Sequence, residues 1–168
     1  WMLGKPIQLP EARDLYKSGL KIVSCYQYGK ADTADWLGGQ SAGVAHAKRG
    51  WQLHTARVDR SVPPSTPRST TIPATTSTRH RWPPYLKGWE AVIGHQRTGV
   101  YANSKTIEWA IQDGLGSYFW QHNWGGSPGG VAHPAAHLHQ VEIDKRAVGG
   151  VGGVDLNEIL KPSFGQWD

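Results

Sequence analysis

Twenty-six consecutive residues, Arg57 to Trp82, set the hardest limit on what this chain can fold into. They read RVDRSVPPSTPRSTTIPATTSTRHRW, with ten Ser or Thr, four Pro and five Arg against one Asp. No helical or strand period runs through them, and the composition is that of a Ser/Thr/Pro linker. The segment carries +4 of the net charge of +5, so the other 142 residues carry only +1. The pI near 9.4 is therefore a property of this segment and no guide to partners. Lys is absent from it and aromatic interleaving is poor, which makes a basic nucleic-acid-binding protein the weakest of the function classes considered. The expected partners include no nucleic acid.

The flanks alternate helices and strands. Pro10, acidic Glu11 and Gly19 bracket a short helix over Glu11 to Ser18. Leu20 to Tyr26 is an apolar run of the kind found in buried parallel strands. Helices follow over Gly39 to His54, Tyr85 to Ile93 and about Lys105 to Ile111, the last with Ser104 as N-cap. Strands are expected at Thr98 to Tyr101, Ser117 to Gln121, His137 to Ile143 and Val151 to Leu156, with a short helical turn at Asn157 to Leu160. Repeated β-then-α units predict a parallel sheet with right-handed crossovers. Strands this short, over 168 residues in one domain, predict a (β/α) TIM-barrel-like fold in preference to a doubly wound sheet. No Gly-rich phosphate fingerprint follows any strand, so a nucleotide enzyme is set aside and no cofactor is expected.

One cysteine, Cys25, excludes a disulfide framework, and its place in an apolar run reads as a buried small hydrophobe. No membrane span, no signal peptide and no Gly-x-Ser-x-Gly elbow is present in the chain as written. Trp1 as first residue suggests a chain cut from something longer. His133, His137 and His139 lack a carboxylate or Cys at ligand spacing, so no metal site is expected.

The stretches KSGLKIVSCYQYG, TGVYANSKTIEWAIQDGLGSYFWQHNWG, HLHQVEID and VGGVDLNEIL…FGQW together resemble the glycoside-hydrolase-like TIM-barrel domains of actinobacteria and their phages, a domain of unknown function related to the family-25 lysozymes. The resemblance covers about Leu15 to His54 and Tyr85 to Trp167, roughly three quarters of the chain. Its motifs are a strand ending in Tyr-Gln, a strand ending in Val-Tyr before a helix, a Trp-Gln strand and a closing Val-Asp-x-Asn. It implies a secreted, cell-envelope or phage-encoded protein, a monomer, acting on or binding polysaccharide or peptidoglycan. The chain departs from the family twice. The first strand of the barrel, with its acidic residue, would precede Trp1. A central strand of the type PIYFAVDxD would fall where residues 57–82 stand, so the expected barrel is incomplete. A reading frame displaced by one base turns Thr codons into those for Asp, Asn, Tyr or His. GC-rich codons for Arg57 to Thr78 then yield GGPERAPIYAAVDDDPSDDEY. A frameshifted segment at 57–82, flanked by two compensating indels, would explain the missing acidic cluster. As written, the segment is not expected to form that buried strand.

Sites in (β/α) barrels lie at the carboxyl ends of the strands. The candidate catalytic residues are Asp155, aligned with the family's closing acidic residue, and Glu142. Candidate substrate-binding residues are Gln27, Tyr101, Trp120, Gln121, Trp124 and Gln140. Aromatic faces stack on sugar rings and strand-end amides hydrogen-bond hydroxyls. Strand alternation puts Gln140 and Glu142 on one face. Glycoside hydrolysis needs two carboxylates about 5 Å apart for retention or 6.5–9.5 Å apart for inversion, and only Asp155 is placed with assurance. The chain is therefore expected to be an impaired hydrolase. The alternative is a non-catalytic carbohydrate-binding or cell-wall-associated module using the same strand ends.

Overall fold

The structure, a computed structural model, describes residues 7–29, 31–56, 71–73, 82–123, 130–146, 150 and 152–166. Its helices are α1 (Leu9–Lys17), α2 (Gly39–Thr55), α3 (Trp82–Ile93) and α4 (Ser104–Gln112). Its strands are β1 (Ser24–Tyr26), β2 (Thr71–Pro73), β3 (Gly99–Ala102), β4 (Tyr118–Gln121), β5 (Leu138–Lys145) and β6 (Val154–Ile159). The four helices fall where capping and spacing place them. Asn103 rather than Ser104 caps α4, its side chain accepting from Thr106 N–H at 2.8 Å. Gly19, at φ 79°, closes α1 with paired bonds from its own N–H and that of Leu20 back to Tyr16 and Leu15.

The barrel expectation is overturned. β1 and β2 form a two-stranded parallel sheet, and β3, β4, β5 and β6 form a four-stranded mixed sheet in that order. β2 also lies beside β3. The fold is α/β, but not a closed eight-stranded parallel barrel. The physical reason is at β5 and β6, which pair antiparallel as a bulged hairpin with no helix between them among the described residues. The expected helical turn at Asn157 to Leu160 is strand as far as Ile159: VDLN keeps the period of two, and pairing of Glu158 and Ile159 with His139 and Leu138 carries the strand on.

The Ser/Thr/Pro segment is also not wholly strand-free. Thr71, Ile72 and Pro73 pair parallel with Ser24, Cys25 and Tyr26, helped by two β-branched residues in a row. The rest of the segment up to residue 81 lies outside the described residues. This short partner limits β1 to three residues where a longer strand was expected. Tyr26 turns toward the helices, so alternation sends Cys25 outward, and it is exposed rather than buried.

Two hydrophobic clusters hold the layers together. Trp82 and Leu86 of α3 pack with Val100, Ala102, Ile107, Ala110, Leu115 and Phe119. Tyr85, Trp89 and Ile93 of the same helix pack with Tyr26 and Ala47. Helix α3 thus serves both sheets, and α2 reaches it at backbone contact. A Cβ on Gly43 would collide with the Tyr85 carbonyl, and one on Gly88 with the Gln40 carbonyl. Polar ties cross the same layer. Asp35, buried in the turn after β1, accepts from the N–H groups of Tyr28 (2.8 Å) and Gly29 (2.6 Å). Burial first, and then the Asp35 charge, push the Tyr26 phenol up to about 12, and its hydroxyl shares a hydrogen bond with His46 Nδ1 at 2.9 Å. His54 of α2 is buried, hydrogen-bonds Ser24 Oγ at 2.8 Å and stacks on Trp51 at 5.2 Å.

Two outcomes follow from this layer. Gly88→Ala should cost about 2–3 kcal/mol, because two helix backbones must separate to admit one methyl group. A denaturant midpoint equal to that of the parent chain would refute the contact. Burial lowers His54 to about 4 from an ordinary 6.5, so its neutral form belongs to the folded state. Stability is complete above pH 6.5 and falls as the pH drops toward 4, by roughly 2–3 kcal/mol from this group. His137, also lowered to about 4 by burial and then by Lys161, adds in the same direction. Thermal melts between pH 7 and pH 4 should show the loss, and His54→Gln should shrink it.

Candidate functional site

The four-stranded sheet has one face toward α3 and α4 and one face away from them. Val100, Ala102 and Phe119 supply the covered face. The open face follows from register. Tyr101 pairs with Trp120, and Gln140 pairs with Asn157. Trp120 also pairs with Leu138, two residues before Gln140. Side chains two apart on a strand share a face, so Tyr101, Trp120, His122, Gln140, Asp155 and Asn157 stand together, around the carboxyl ends of β3 and β4.

A chain of hydrogen bonds joins them. Tyr101 OH donates to Gln140 Oε1 at 3.1 Å, and Gln140 Nε2 donates to Asp155 Oδ2 at 2.7 Å. The other carboxylate oxygen of Asp155 accepts from Asp144 N–H at 2.9 Å. Asn157 links the aromatic side to the carboxylate side. Its Oδ1 accepts from Trp120 Nε1 at 2.7 Å, and its Nδ2 donates to the Asp155 carbonyl at 3.2 Å. The ring of Tyr101 meets Trp120 edge-on at 5.1 Å and His122 at 5.3 Å. Gln140 is 2% exposed, so its amide is fixed before any ligand arrives, whereas Asp155 is exposed and Trp120 half-buried.

The bulges in β5 build the carboxylate side. Extra residues enter β5 between Gln140 and Glu142 and again between Glu142 and Lys145, opposite a regular β6. Asn123 pins the first of them, donating from Nδ2 to the Val141 carbonyl at 3.0 Å. The second leaves Asp144 in the left-handed region at φ 49°, with its N–H aimed at Asp155. Asp144's side chain lies where a Cβ on Gly153 would collide with it, and Arg146 sits 3.6 Å from its carboxylate.

The sequence candidates divide accordingly. Tyr101, Trp120, Gln140 and Asp155 come together. Glu142 does not join them: the bulge pairs it with Leu156, on the opposite face of β6 from Asn157, and Lys145 Nζ holds it at 2.7 Å. The expectation that Gln140 and Glu142 share a face therefore fails on one inserted residue. Gln121 is wholly buried on the other face and braces a loop, with Nε2 donating to the Val131 carbonyl (2.9 Å) and Oε1 accepting from His133 N–H (2.7 Å). His133 accepts at Nδ1 from Ala135 N–H, so its Nε2 carries the proton and donates to Glu108 at 3.0 Å. That bond, then one from Gln112, lowers the Glu108 carboxyl. Gln27 is exposed just past β1, in the other sheet. Trp124 lies outside the described residues. Among the described residues no group of His, Cys, Asp and Glu could hold a metal ion, and no helix is long and apolar enough to cross a membrane. Asn157, Asp144 and Asn123 escaped the sequence reading. Asn157 was within reach, since it stands two residues after Asp155 in an alternating run.

Comparison with known proteins bears on the whole arrangement. The chain is 69% identical over 170 residues to the Mycobacterium tuberculosis protein Rv2525c, whose name provisionally assigns it as a peptidoglycan hydrolase. The match spans 99% of this chain and 69% of that one. The crystal structure of Rv2525c, a Tat-secreted protein, in complex with L-tartrate matches with a TM-score of 0.88 at 64% identity, over 100% of this chain and 81% of the other. A crystal structure of an uncharacterised B. stearothermophilus protein matches with a TM-score of 0.63 at 12% identity, over 95% of this chain and 79% of that one, a likeness of fold alone. A family model matches residues 1–159, and by that match and the 69% identity the chain belongs to the Rv2525c-like, glycoside hydrolase-like domain family.

Proposed function

We propose that the chain binds cell-wall glycan across the Tyr101–Trp120 face and cleaves it poorly or not at all. The single observation that carries this reading is the Asp155 carboxylate, fixed by Gln140 and Asp144 N–H beside two aromatic rings at strand ends. Carboxylate, amide and aromatic side chains arranged in this way suit a sugar, whose ring has apolar faces and a polar rim. Hydrolysis needs a second carboxylate facing the first across the scissile bond. Among the described residues none is hydrogen-bonded into this group, and Glu142 is held by Lys145 on the other face. A displaced reading frame over 57–82 would account for its absence, because that segment stands where the family carries its acidic strand. The protein would work outside the cytoplasm, as the Tat-secreted relative does, and its substrate class would be the one that relative's name gives.

Trp120 is the platform and Asn157 orients it. Trp120→Ala should weaken co-sedimentation with insoluble peptidoglycan about five- to tenfold, the loss of one stacked aromatic anchor. Asn157→Leu should weaken it less, and Asn157→Asp, which keeps an acceptor for the indole N–H, should restore it. Unchanged sedimentation of the Trp120 variant would end the reading. Release of soluble sugar fragments by the parent chain, abolished in Asp155→Ala, would replace it with the hydrolase reading.

A further inference from the structure

The open face has a consistent polarity. Its side-chain donors turn inward: the Tyr101 hydroxyl to Gln140, the Trp120 indole N–H to Asn157, one amide N–H of Gln140 to Asp155 and one of Asn157 to the Asp155 carbonyl. What the face offers a ligand is chiefly ring faces and lone pairs, above all those of the Asp155 carboxylate. The groups bonded to that carboxylate, an amide and a backbone N–H, orient it and bring no positive charge of their own. It has no ion-pair partner among the described residues. The two cations of the same hairpin, Lys145 and Arg146, are taken by Glu142 and Asp144. A negative charge beside aromatic faces is the chemistry that recognises an ammonium group, through ion pairing and attraction to the ring quadrupole together.

We propose that this face selects glycan units with a free amine, that is, de-N-acetylated amino sugars, over their N-acetylated counterparts. The proposal rests on the glycan-binding reading above. An ammonium group brings three N–H donors and a positive charge to a face rich in acceptors. An acetamido group brings one donor, a carbonyl and no charge, so it gains nothing from the Asp155 carboxylate. Uronate or phosphate-bearing units would meet the Asp155 charge with the wrong sign.

The test compares a fully N-acetylated glucosamine hexamer with the fully de-N-acetylated hexamer by titration calorimetry on the whole chain, at low and high salt. The amine form should bind about tenfold more tightly at low salt, with the margin shrinking as salt is added. Re-acetylating the amine hexamer should abolish the margin without any change to the protein. In Asp155→Asn the ratio of the two affinities should fall toward one. Equal or tighter binding of the acetylated hexamer by the parent chain overturns the proposal and leaves the glycan-binding reading standing. A preference that survives in Asp155→Asn also overturns it. Failure of both hexamers and of peptidoglycan to bind removes the underlying reading, and the proposal with it.

Discussion

The close approach of α2 to α3 at Gly43 and Gly88 is the constraint on which the rest depends. Helix α3 feeds Trp82 and Leu86 into one cluster and Tyr85, Trp89 and Ile93 into the other. Two separately hydrogen-bonded sheets therefore share one helix as their common wall. If α2 stood farther out, Ala47 would leave the Tyr26–Trp89 cluster, and β1 would lose the support that its three-residue partner cannot give. The polar ties are secondary to this packing. The bonds from Tyr26 to His46 and from Ser24 to His54 fix angles within a layer whose spacing the glycines set.

The site depends on a different irregularity. A regular β5–β6 hairpin would have put Glu142 on the face of Gln140. The bulge at Val141 reverses the face of Glu142, and the second bulge turns the Asp144 N–H onto Asp155. One extra residue thus decides which carboxylate enters the cluster and which is left to Lys145. The strand β6 stays regular, so Asp155 and Asn157 act as two teeth of one comb, the first engaging Gln140 and the second engaging Trp120.

Much of this could be read from the chain, and the failures have specific causes. The four helices follow from capping residues and apolar spacing, which are local signals. Tyr101, Trp120, Gln140 and Asp155 share one face because all four fall in strands whose alternation is a local pattern, although Gln140 lies inside β5 and Asp155 near the start of β6 rather than at carboxyl ends. Strand count and closure are non-local. The antiparallel return of β6 depends on a hairpin whose Gly-rich connection has no period to read. The placement of Glu142 depends on a bulge, which shifts alternation without changing composition. Thr71–Pro73 became a strand within a linker-like composition because β1 offered it a partner, and partner supply is invisible in a single stretch of sequence.

The state of Asp155 bears on the choice between binding and turnover. A general acid must hold a proton and aim it at the leaving oxygen. Both oxygens of Asp155 accept from N–H groups, which fixes the carboxylate plane and leaves each oxygen a further lone pair for a ligand. Such a carboxylate can orient a ligand or counter its charge, and in a complete hydrolase it could support a partner that does the proton transfer. Among the described residues no such partner is hydrogen-bonded to it, and Gln140 beside it is an amide that bonds Tyr101 at one end and Asp155 at the other. Hydrogen bonds tie Asp155 to the aromatic side of the β3–β6 sheet, its carboxylate through Gln140 to Tyr101 and its carbonyl through Asn157 to Trp120.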